Sequence, residues 1–73
     1  MSETETLSHT LGTEYPKEQA RLVELVEQYK EIGPAGQFGL HMIKQVLKRS
    51  YEAAISNDVV EMLKVFREMQ GCQ

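Results

Sequence analysis

A chain of 73 residues holds one domain at most, and a domain that small buries only about 60% of the surface its unfolded chain exposes. Its net charge of −3 belongs to the first 16 residues, which carry Glu3, Glu5 and Glu14 and no lysine or arginine, whereas residues 17–73 hold eight basic and eight acidic side chains. A neutral body gives little long-range attraction to nucleic acid or anionic lipid, and no apolar run approaches the roughly 20 residues that cross a bilayer.

Residues 1–13 are polar and weakly patterned, with Leu7 and Leu11 the only large apolar side chains after Met1. They are expected to form a flexible, acidic arm; the alternative is a segment that orders on a partner through its two leucines. The helical domain is then 14–73.

The first helix is predicted over about 14–32. Thr13 suits the N-cap, Pro16 the first turn, and Glu14 and Glu18 the positive end of the helix dipole. Leu22, Leu25, Val26, Tyr29 and Ile32 recur at helical spacing within an arc of about 120°, one buried stripe, and Val23 lies off it. Gly33 and Pro34 stop the helix.

The second helix is predicted over about 35–55. Gly36 and Gly39 weaken it by roughly 1 kcal/mol each, which points to a close approach of another backbone. Its apolar and small residues, from Phe38, Leu40 and Met42 to Tyr51 and Ala54, spread over about 220° of the helix wheel. So wide an arc requires more than one packing surface and makes this the central helix.

Asp58, followed by Glu61, resembles a capping box and opens a third helix over about 58–70. Val59, Met62, Leu63, Val65, Phe66 and Met69 form its apolar face, Val60 lies outside that face, and Gly71 stands where a glycine C-cap belongs. No stretch alternates like a strand. The fold class is all-α: a compact bundle of three helices that also self-associates, because the surplus apolar surface suits a dimer or a partner.

None of the chemistry-bearing residues forms a catalytic or metal constellation. Cys72 lies beyond a helix stop and is expected to be a free, mobile thiol rather than a nucleophile. A single cysteine makes no internal disulfide, and with an acidic N-terminus unlike a signal peptide it fits a reducing cytoplasm. His9 and His41 lie far from each other and from Cys72, without ligand spacing, so no metal and no cofactor is expected. The turn from Gly33 to Gly39 is glycine-rich but lacks the preceding strand and the following lysine of a phosphate loop. Met42, Met62 and Met69 are read as core filling.

Two surfaces remain. Val23, Phe38, Leu40, Tyr51 and Val60 border the surplus apolar area and are the candidate protein-interaction residues. His41, Lys44, Lys48 and Arg49 form a basic stripe on the second helix, the basis of an alternative reading as a small DNA-binding regulator. Against that alternative stand the neutral body and Glu52 on the same stripe, so nucleic acid is the less favoured partner.

The segments Tyr15-Pro16-Lys17-Glu18-Gln19-Ala20-Arg21-Leu22, Tyr29-Lys30-Glu31-Ile32-Gly33-Pro34-Ala35-Gly36-Gln37-Phe38-Gly39 and Ser56-Asn57-Asp58-Val59-Val60-Glu61-Met62, with Met42-Ile43 and the closing Glu68-Met69-Gln70-Gly71-Cys72, resemble small uncharacterised all-helical proteins of tailed-phage and prophage genomes. The resemblance covers residues 15–73 and is most specific in Ile-Gly-Pro-Ala-Gly-x-Phe-Gly. It implies a non-structural accessory protein in the cytoplasm of a bacterial host cell, but no catalytic or ligand-binding residue. The expectation is a non-enzymatic interaction module, homodimeric, that binds and modulates a host or phage protein.

Overall fold

The structure, a computed structural model, describes the backbone of residues 3–73 and the side chains of residues 11–73. Three helices follow one another: α1 (Glu3–Ile32), α2 (Gln37–Ser56) and α3 (Val59–Gly71), with one 3₁₀ turn, Gly33–Gly36, between the first two. No strand occurs among the described residues.

The first helix begins at Glu3, upstream of the expected start near 14, and Pro16 lies inside it. Thr13 is therefore a mid-helix residue, not a cap. Proline has no N–H for the carbonyl four residues back, here that of Gly12, and an interior proline costs a helix about 3 kcal/mol. Packing offsets this. Leu11 and Tyr15 are only 4% and 2% exposed, and their spacing of four, then seven to Leu22, puts them on the face α1 buries. Leu11 thus joins the core of its own chain. The side chains of Leu7 and His9, like the whole of residues 1–2, lie outside the described residues.

The joins follow local chemistry. Gly33 sits at φ 82, the left-handed conformation that ends α1. Gly36 and Gly39 leave room for Tyr29: a Cβ on Gly36 would lie 2.8 Å from the Tyr29 carbonyl oxygen, and one on Gly39 would lie 2.4 Å from the Tyr29 ring. Asn57 ends α2 at φ 58, and its N–H reaches the Ala54 carbonyl at 3.2 Å. The Asp58 carboxylate accepts from the Glu61 N–H at 3.1 Å, the expected cap of α3. Gly71 does not act as expected. It is the last helical residue of α3, Cys72 after it is extended, and the end of the helix is capped by a side chain from α1, described below.

The core lies where the three helices meet. Leu22, Val65 and Met69 are fully buried, with Leu25, Val26, Leu40 and Ile43 around them. As the wide apolar arc predicted, α2 packs on both α1 and α3; α1 and α3 also touch, so the three close around one centre. Three expectations are corrected by this packing. Leu40, a candidate interaction residue, is 6% exposed and belongs to the core. Ile32 and Met42, expected inside, are 57% and 47% exposed. Ile32 is the last residue of α1, and Met42 lines the open groove between α2 and α3 rather than the core.

One polar knot ties α1 to α2. Ser50 is fully buried; its hydroxyl donates to the Leu47 carbonyl at 2.6 Å and accepts from the Gln19 amide at 3.1 Å. Its backbone carbonyl accepts the Tyr15 hydroxyl at 2.6 Å. Burial pushes the Tyr15 phenol above its ordinary value; the bond at Ser50 opposes that shift and the charge of Glu61 adds to it. The unfolded chain then loses this proton first as pH rises, so the Tyr15 contribution is complete below about pH 10 and falls above it. Tyr15→Phe should cost about 1 kcal/mol near neutrality by removing the hydrogen bond. It should also lose less stability than the wild type between about pH 9 and pH 11, as urea titrations at the two pH values would show.

Candidate interaction surfaces

Among the described residues every buried side-chain nitrogen and oxygen has a hydrogen-bond partner. These polar groups hold helices together. Arg21 projects from α1 onto the end of α3, where its guanidinium donates to the carbonyls of Met69 and of Cys72 (2.9 Å) and to Glu18 (2.8 Å). It supplies donors that the last turn of any helix lacks, and a positive charge where the helix dipole favours one. The Tyr29 hydroxyl donates to the Gln73 carbonyl, so a second α1 side chain holds the same tail.

Cys72 is consequently not the mobile thiol expected. It is half-buried, packed beside the core, and its Sγ donates to the Glu68 carbonyl at 3.4 Å. Burial raises the thiol pKa; Arg21 pulls it down, and Glu68 and Glu18 push it up. Among the described residues no three of His, Cys, Asp and Glu gather as a metal site, and no helix is long and apolar enough to cross a membrane.

The four basic residues do not act as one stripe. Arg49 lies about 140° around α2 from Lys44 and turns toward α3, where it pairs with Glu61 at 3.3 Å and Glu68 at 2.8 Å. Its two carboxylate partners hold its pKa above the ordinary arginine value. Lys48 stands 4.0 Å from Glu52, and the His41 ring contacts the Gln45 amide at 3.1 Å. Lys44 alone of the four makes no ion pair or hydrogen bond among the described residues. A phosphate backbone would meet a mixed surface here, with Glu52, Glu61 and Glu68 among the lysines and arginine.

The apolar candidates separate into three places. Phe38, 79% exposed, stands at the turn end of the bundle, with Ile32 just before the turn and Met42 one helical turn further along α2. Val60 is exposed in the first turn of α3, beside the half-exposed Val59, which was expected on the apolar face, and near the opposite end of α2. Val23 and Tyr51 come together, across the outer groove between α1 and α2. That groove, of about 320 Å³, has a floor of Val23, Val26, Leu47 and Tyr51 and a rim of Glu27 from α1 and Lys44 and Lys48 from α2. A second groove, between α2 and α3, is more polar and runs past Gln45, Arg49, Glu52 and Glu68.

The sequence reading missed Ile55, the most exposed large apolar side chain of the described residues at 85%. The signal was its spacing of four from Tyr51, which sets both on one side of α2. It also missed Glu27 as a groove residue, since nothing in a single helix shows which neighbour its flank will border. Compared with known protein families, curated proteins and solved structures, the chain matches none.

Proposed function

We propose that the protein is a small, non-enzymatic interaction module that binds and modulates another protein, as an accessory factor of phage or prophage origin in the cytoplasm of a bacterial host cell. The observation that carries this reading is Phe38. An aromatic ring 79% exposed, with the half-exposed Met42 one helical turn further along α2, is apolar area that the chain's own core leaves unused. Burying such a ring in a partner's pocket is worth about 1.5–3 kcal/mol, the scale of an interface hot spot. Met42 beside it is a flexible side chain that adapts to the shape it meets. The employment of Tyr15, Gln19, Arg21 and Ser50 in ties between helices supports the non-enzymatic part of the reading.

The test is affinity capture from host extract with the wild type and with Phe38→Asp, read by quantitative mass spectrometry. A host or phage protein held by the wild type should fall by roughly tenfold or more with the variant, the loss of about 1.4 kcal/mol. The variant should keep its helical circular dichroism, since residue 38 touches little of its own chain. Capture that is indifferent to the substitution would rule out this surface.

A further inference from the structure

We propose that the outer groove between α1 and α2 is where two copies of this chain pack, about a two-fold axis running along the groove, so that α1 of each copy lies over α2 of the other. Three observations lead there. α3 covers one side of the α1–α2 pair and leaves the other side open, with its apolar floor in water. Val23 and Tyr51 are 43% and 45% exposed on that side, and Ile55 continues the strip one helical turn beyond Tyr51. A small core gains most from a second copy that covers such a strip.

The charges choose the occupant and its orientation. A two-fold interface must be complementary to itself, because one patch meets its own copy. Glu27 on α1 and Lys44 and Lys48 on α2 line the same stretch of groove, acid on one bank and base on the other; Glu27 pairs with Lys30 of its own helix at 3.3 Å and Lys48 with Glu52 at 4.0 Å, exposed pairs worth little that leave both charges open to a partner. The helices share the asymmetry over their described side chains: α1 carries five acidic and three basic, α2 three basic and one acidic. Rotation about an axis along the groove places the acidic bank of each copy on the basic bank of the other, twice. Rotation about an axis across the helices would set acid on acid and base on base, which like-charge repulsion disfavours. In the favoured arrangement α1 meets the partner's α2 antiparallel, the packing of a four-helix bundle. This interface is separate from the Phe38 end, so either surface can fail its test without the other.

Sedimentation equilibrium tests the proposal. The wild type should run at twice 8.3 kDa, the mass of one chain. Lys44→Glu/Lys48→Glu makes both banks acidic, and Glu27→Lys makes both basic; each alone should weaken self-association by roughly tenfold or more. Mixed in equal amounts, the two variants should pair with each other, because every contact is again acid on base. A monomeric wild type at high micromolar concentration, variants that self-associate as well as the wild type, or a mixture that stays monomeric would each overturn it. A second measurement leaves the charges of one bank intact. In a Cys72→Ser background, Glu27→Cys and Lys48→Cys chains mixed under mild oxidation should form the mixed disulfide in preference to either symmetric one; the reverse preference also overturns the arrangement.

Discussion

Leu22→Ala should lower the unfolding free energy by about 2–5 kcal/mol, the cost of lost apolar transfer plus the cavity that remains. Leu22 is fully buried on the face of α1 that meets both other helices. A native chain of 73 residues has in all about 4–11 kcal/mol, so this one change removes a large share and can unfold the protein at ordinary temperature. Urea unfolding checks it: the midpoint should drop with the slope unchanged. Val60→Ala is the control. That side chain is 64% exposed and lies outside the groove between α1 and α2, and its effect should stay within about 0.5 kcal/mol. A Leu22 effect no larger than the control's would mean that the three helices do not share the centre described.

The second large effect is expected at the turn, and its sign depends on which part of Tyr29 stands in the way. Alanine is ordinarily the better helix former by about 1 kcal/mol, so Gly→Ala should help if space allowed. Space does not allow it at Gly36 or Gly39, where the new methyl would stand 2.8 Å from the Tyr29 carbonyl oxygen and 2.4 Å from its ring. Each substitution should cost about 1–3 kcal/mol through overpacking. Tyr29→Ala separates them. Without the ring, Gly39→Ala should become neutral or stabilising, whereas Gly36→Ala should keep its cost because the obstacle there is backbone. A double-mutant cycle with thermal unfolding reads the coupling directly; equal behaviour of the two glycines would mean the turn is packed differently.

These two sites show what a sequence can and cannot disclose. Gly36 and Gly39 were legible as close approaches because glycine in a helix has a cost that something must offset, but the approaching group, Tyr29, was not. The joins around α2 were legible from Gly33 and Pro34 and from the Asp58 cap, all local signals, while the left-handed Asn57 that ends α2 was not read as a stop. The start of α1 was misread because Pro16 is as good a first-turn residue as it is a poor interior one. The buried pair Leu11 and Tyr15 decides between the two, and that is tertiary information. The same limit hid the Gln19–Ser50 and Arg21–Cys72 bonds, which join residues 31 and 51 positions apart. Helical periodicity gives the face on which a residue lies, not the residue it meets. For the surfaces, Val23 and Tyr51 lie half-exposed, whereas Leu40 is core, since the edge of a wide arc becomes core when a second neighbour reaches it.

The clasp of Arg21 on the far end of α3 also bears on how the protein comes into being. Val65 and Met69, two of its most deeply buried residues, belong to α3, which is made after α1 and α2, and Arg21 waits for carbonyls 48 and 51 residues downstream. Until that segment leaves the ribosome, α1 and α2 can form only a hairpin whose Leu22 side faces water with nothing to cover it. The core of the three helices therefore closes only once α3 is available, and the interval before that is when aggregation and chaperone capture compete for the same apolar face.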